Sequence, residues 1–199
     1  MTILSVAAEV GAFLEELAVP YAIIGGLAAQ HWGEPRFTRD VDVAVLAPSA
    51  QEAALLEALA ARFQPRLPDA LAFARRHRVL LLQARDGTPI DVSLAIPGYE
   101  EEVMRRAVVA DLPGLRTVRL VSAEDLIIHK CVAGRPRDIE DVERVLSRQG
   151  RAIDRRYVRR WLRAFAPLVT THEVLGLFEQ AIRRVRSASR GRRVDAETV

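Results

Sequence analysis

Tyr21–Leu46 reads YAIIGGLAAQHWGEPRFTRDVDVAVL. An apolar run, Tyr21–Ile24, meets the glycine pair Gly25-Gly26. A short helix-forming segment and the turn Gly33-Glu34-Pro35 come next. Then Thr38-Arg39-Asp40-Val41-Asp42 runs straight into Val43–Leu46. Charge inside a strand-like apolar run is costly unless it finds a partner. Alternate residues of a strand share a face, so Asp40 and Asp42 point the same way. Neighbouring carboxylates repel each other, and hard divalent cations are what such oxygens bind. The stretch is a candidate metal site, with a glycine turn beside it that lets a ligand approach the backbone.

Outward from this stretch, Val6, Val10, Phe13, Leu14 and Leu17 fall at helical spacing, which predicts an amphipathic helix over 2–18, closed by Pro20. Tyr21–Ile24 and Asp40–Leu46 read as strands, Leu27–Trp32 as a helix between them. Pro48-Ser49 opens a helix over 50–63, with Ser49 as its cap. Phe73 marks a short strand. Val79–Ala84 is a clearer one, Arg85–Thr88 a hairpin turn, and Pro89–Leu94 the returning strand, with Asp91 again among apolar neighbours. A helix over Tyr99–Val108 and a strand over Thr117–Val121 complete this part. Ser122 with Asp125 forms a capped helix start, and that helix runs to Gly134. Further helices are expected over 138–148, 154–165 and 172–187. The Ser/Arg/Gly-rich segment 188–199 has few apolar residues and is expected to be a disordered tail. The fold class is α/β (α+β): a mixed sheet of four to five strands flanked by helices over 1–121, then a helical region over 122–187.

Half of the 199 residues are hydrophobic, enough for a sizeable core. No apolar run approaches the roughly 18 residues of a membrane span. The N-terminus lacks a basic region ahead of its apolar part, so a signal peptide is not expected and the cytoplasm is the expected location. The single cysteine, Cys131, excludes an internal disulfide and a cysteine-rich zinc site. Between Arg151 and Arg193 stand twelve arginines against Asp154, Glu173 and Glu179. That basic segment is either a surface for an anionic partner or a solvated helix face. Lys130 is the only lysine beside 28 arginines, and asparagine is absent. An ammonium is a compact point charge where guanidinium is a planar fork, so the one lysine marks a position of interest.

The order strand, Gly-Gly, helix, strand with Asp-x-Asp, hairpin, strand with Asp resembles the nucleotidyltransferase superfamily with the DNA polymerase beta-like fold. The matching pieces are Gly25-Gly26, Asp40-Val41-Asp42-Val43 and Asp91. More narrowly, residues 23–45 look like the AbiEii-type toxins with their GGxA…R-x-T-x-D-h-D stretch, and EDLIIHKCVAGRPRDIED at 124–141 resembles their helix-borne lysine and following acidic segment. The resemblance covers about residues 20–148. It implies transfer of a nucleoside monophosphate from an NTP to an acceptor hydroxyl, with release of pyrophosphate and two Mg2+ ions, Mn2+ being the alternative. Asp40, Asp42 and Asp91 would hold metal and act in catalysis, Asp91 also helping to deprotonate the hydroxyl. Gly25, Gly26, Arg36, Thr38, Lys130 and Asp138 would contact the nucleotide, and Lys130 would also serve catalysis by neutralising phosphate charge. Many relatives carry a glycine-serine pair; Gly26-Leu27 lacks the hydroxyl, which leaves phosphate contact to backbone N–H groups.

The expected acceptor is RNA, in particular a tRNA 3′ end, and a cognate antitoxin is the expected protein partner. The alternatives are a small-molecule acceptor, as in aminoglycoside nucleotidyltransferases, a protein hydroxyl, or a degenerate fold that serves as a binding module. Each acid also has a plainer reading, pairing with a nearby arginine. Arg39 in particular is expected to neutralise the Asp40–Asp42 pair, and Thr38 either orients Asp40 or stabilises the turn.

Overall fold

A computed structural model describes residues 2–111 and 117–196, with side chains through residue 188. In chain order the elements are α1 (Ile3–Glu16), β1 (Tyr21–Ile23), α2 (Gly25–Trp32), β2 (Val41–Val45), α3 (Ser49–Arg62), β3 (Gln64–Pro65), α4 (Ala70–His77), β4 (Val79–Gln83), β5 (Pro89–Leu94), α5 (Tyr99–Arg106), β6 (Val108–Ala110), β7 (Val118–Leu120), α6 (Ala123–Ala133), α7 (Pro136–Gln149), α8 (Arg155–Phe165) and α9 (Val174–Ala196). A 3-10 turn, Ala166–Leu168, follows α8. The chain forms two compact units, residues 1–28 with 37–122, and residues 29–36 with 123–199. Residues 29–36 thus group with the helical unit and not with the sheet.

The first unit is built on one sheet with strand order β3-β4-β5-β2-β1-β7-β6. β2 is parallel to β5 and antiparallel to β1, while β4 is antiparallel to β5. Central strands are covered on both faces and read as near-continuous apolar runs. β2 fits this, with Val41, Val43, Ala44 and Val45 all buried and only Asp42 half-exposed. β4 and β5 instead alternate: Leu80, Leu82, Ile90, Val92 and Leu94 go into the core, while Leu81, Asp91 and Ser93 face the half-exposed side. Tyr21 is buried beside α1, its hydroxyl donating to Glu15 Oε1 at 3.0 Å, and burial pushes its pKa up to about 12.

Seven strands among the described residues exceed the expected four to five. The extra ones, β3 and β6, have two and three residues, too short to carry a period-2 signal. Phe73 lies in helix α4, not a strand, because Ala70 and Ala74 pack one face of that segment into the core. Val108 starts β6 instead of ending α5. Ser49 is the first residue of α3, not its cap; Pro48 occupies the cap position and donates no side-chain bond.

The second unit packs α6 against α7, α8 and α9. Asp154 caps α8, accepting from the N–H groups of Arg156 at 2.9 Å and Tyr157 at 3.0 Å. α6 ends at Gly134 (φ +66°), where the His172 ring nitrogen lies 2.9 Å from the Cys131 carbonyl oxygen. The end of α2 is tied to α7 by Arg148 and Gln149, which donate to the carbonyls of Gly33 at 2.6 Å and Trp32 at 2.8 Å. The backbone of α9 continues to Ala196 through the segment where the tail is expected from 188, since Ala and Arg are strong helix formers. Residues 197–199 of that expected tail lie outside the described residues. Among the described residues no helix is long and apolar enough to cross a membrane.

Candidate active site

The parallel pairing of β2 with β5 sets Asp42 directly opposite Asp91. Asp40 stands two residues before Asp42 and lies close enough for its charge to act on Asp91. Asp42 and Asp91 thus lie side by side on adjacent strands, with Asp40 in the segment just ahead of β2. Burial holds the Asp91 carboxyl above the usual carboxylate range, Arg66 pulls it down, and Asp40 pushes it up again. Thr38 Oγ1 donates to Asp40 Oδ1 at 2.9 Å, so the hydroxyl orients this acid.

The glycine pair is shaped around Asp42. The Ile24 N–H donates to the Asp42 carbonyl at 2.9 Å, and the Gly26 N–H points at Asp42 Oδ2 at 3.4 Å. Gly25 has φ +59°, and a Cβ there would collide with the Asp42 carboxylate. Both facts demand glycine. Gly25→Ala is therefore expected to displace Asp42 or the turn, costing about 1–3 kcal/mol of stability by the backbone term alone. A urea titration measures this; a cost below a few tenths would show that the turn relaxes freely.

The side chains on this face do not match the expected pairing in one respect. Arg39 stacks over the Phe37 ring, 5.5 Å from its centroid, and pairs with neither aspartate among the described residues. Asp91 instead pairs with Arg66, whose Nη2 contacts its Oδ1. Sequence reasoning missed it because Arg66 follows a two-residue strand and is one of 28 arginines.

The second unit holds the other expected residues. Lys130 Nζ sits 2.7 Å from Asp138 Oδ1 and 3.0 Å from Asp141 Oδ2. Arg36 clamps Asp141 with Nε at 2.8 Å from Oδ1 and Nη2 at 3.0 Å from Oδ2. Arg144 Nη1 adds a contact at 3.5 Å. Asp141, only 1% exposed, is thus the hub on which two expected nucleotide contacts converge. Asp138 and Asp141 lie on one face of α7, as their spacing requires. Cys131 beside Lys130 is buried, and burial pushes its thiol up to about 12. That environment makes it an inert core residue.

Three carboxylates on adjacent strands suit a hard divalent cation in donor type and in strand placement. As the side chains stand, no group of three acidic, His or Cys residues among the described residues is arranged to hold a metal ion.

Comparison with known proteins agrees with the architecture. A search of curated proteins returns no match. A crystal structure of an antigenic nucleotidyltransferase-like protein from Paracoccidioides brasiliensis superposes with a TM-score of 0.53 at 17% identity, covering 93% of this chain and 89% of that one. The solution structure of the antibiotic-resistance factor ANT(2'')-Ia is similar at a TM-score of 0.47 and 17% identity, covering 100% and 97% of the two chains. The first supports a nucleotidyltransferase-like fold. The family model for the nucleotidyl transferase AbiEii toxin of type IV toxin–antitoxin systems matches residues 13–196. The chain belongs to the AbiEii nucleotidyl transferase toxin family.

Proposed function

We propose that the protein is a Mg2+-dependent nucleotidyltransferase that moves a nucleoside monophosphate from an NTP to an RNA hydroxyl, as the toxin of a toxin–antitoxin pair. The observation that carries this reading is the register of Asp42 opposite Asp91 on parallel strands, with Asp40 alongside and the Gly25-Gly26 turn wrapped on Asp42. Family membership supports the reaction class and the antitoxin partner.

Asp40, Asp42 and Asp91 would hold the Mg2+. The ion supplies charge stabilisation for the attacking and leaving oxygens of an in-line displacement. Asp91 would also help to take the proton of the acceptor hydroxyl. The Gly25-Gly26 turn would offer backbone N–H groups to phosphate oxygens. Thr38 fixes the rotamer of Asp40. In the second unit, Lys130 and Arg36 are assigned to phosphate charge by residue type, with Asp138 and Asp141 holding them in fixed positions.

RNA is favoured as acceptor by the basic helical unit. Arg151, Arg155, Arg156 and Arg186 line a cavity of about 540 Å3 beside the capped start of α8. Such a surface suits a phosphodiester backbone.

Incubation with each labelled NTP and Mg2+, first with total RNA and then with protein extract, tests the proposal. Label in RNA is the expected result. Label in protein, or in neither, rejects the RNA acceptor.

A further inference from the structure

A single row of residues crosses the half-exposed side of the sheet. The Arg66 N–H donates to the Leu81 carbonyl at 3.0 Å, extending the β3–β4 ladder by one residue. Leu81 is the register partner of Asp91, and Asp91 that of Asp42. The backbone thus fixes Arg66 in line with the two acids, two strands away from Asp91, with a non-polar residue between. A long cationic side chain reaches across that gap. Among the described residues its contact with Asp91 is its one ion pair, and both partners keep access to solvent, at 29% and 33% exposure.

We propose that Arg66 is a built-in counter-ion that competes with the divalent cation for Asp91. This rests on the reading of Asp40, Asp42 and Asp91 as cation ligands. Three half-buried carboxylates repel one another. Without a cation, the guanidinium lowers that repulsion and keeps the acid-lined face folded. Because both partners reach solvent, the pair is weak enough to exchange. A divalent cation brings two charges to the same oxygens, so it displaces Arg66 and frees the guanidinium. The cost of breaking the pair is subtracted from metal affinity. Arg66 therefore sets how much free cation the site requires, without being a ligand itself.

The test uses Mn2+ binding to the full-length protein without nucleotide, followed by electron paramagnetic resonance of free ion. Arg66→Gln is expected to bind Mn2+ about tenfold more tightly than wild type, which corresponds to about 1.4 kcal/mol. Arg66→Lys, which keeps the charge, is expected to stay within threefold of wild type. Asp91→Asn in the Arg66→Gln background is expected to lose the gain. Thermal melting supplies a second readout: Arg66→Gln melts lower than wild type without metal, and the gap closes with saturating Mn2+.

Equal or weaker Mn2+ binding by Arg66→Gln overturns the proposal, as does a gain that survives Asp91→Asn, or no binding by either protein. Label transfer from NTP is a separate measurement. A protein with the expected Mn2+ behaviour and no transfer keeps the counter-ion and loses the nucleotidyltransferase reading; the reverse pattern does the opposite.

Discussion

Replacing Asp42 by Asn is expected to lower nucleotidyl transfer by roughly 10^3-fold while leaving the fold intact. Asparagine has nearly the same shape, so the turn at Gly25-Gly26 keeps its neighbour and the Ile24–Asp42 backbone bond is untouched. What changes is one negative charge at the centre of the acid row. A loss of 10^3 in rate is about 4 kcal/mol of transition-state stabilisation, the upper end of what one electrostatic contact supplies in a preorganised site. Stability is expected to move the other way. Asp42 stands opposite Asp91 with Asp40 two residues off, and removing one of three repelling carboxylates relieves the folded state. A melting temperature equal to or above wild type, with turnover nearly abolished, separates a catalytic acid from a structural one. If turnover stays within threefold of wild type, Asp42 is not part of the reacting site.

Asp42 was legible from sequence because three independent signals converge on it. It sits in an apolar run, at period two from Asp40, after a glycine pair. Two of these have a physical counterpart in the structure: a largely buried strand, and a left-handed Gly25 with no room for a Cβ. The same holds for Asp91, whose hairpin strand alternates cleanly between core and surface. What escaped has an equally physical cause. β3 and β6 are held in the sheet by their partners, not by their own pattern, so no local signal marks them. Arg66 gains its meaning from β3, through a register that crosses two strands, and becomes visible only with the sheet. Arg39 looked like the counter-ion because it adjoins the acids in sequence, yet an aromatic ring two residues before it is its partner. Asp141 was visible as a face-mate of Asp138, but its rank as the hub depends on Arg36, more than a hundred residues earlier.

That hub carries the second large effect. Asp141→Ala is expected to destabilise the protein by about 3–5 kcal/mol, the usual cost of stranding a buried charge by removing its partner. The side chains of Asp141, Arg36 and Lys130 are 1%, 13% and 12% exposed, so water does little to screen the group. Lys130 retains Asp138 at 2.7 Å, which places the expected value toward the lower end of that range, whereas Arg36 loses a two-pronged clamp. For a chain of this size about 3 kcal/mol lowers the melting temperature by roughly 10 °C. The loss is expected to persist at high salt, unlike that of a surface pair. A double-mutant cycle isolates the cause: Asp141→Ala made in an Arg36→Met background strands one cation fewer, so it costs less than it does alone. A loss under about 1 kcal/mol, or a cycle with no coupling, would mean that the α7 acid face is solvated ornament. A large, coupled loss instead ties the 29–36 segment to α7 through one carboxylate. The assignment of residues 29–36 to the helical unit then has an energetic basis as well as a geometric one.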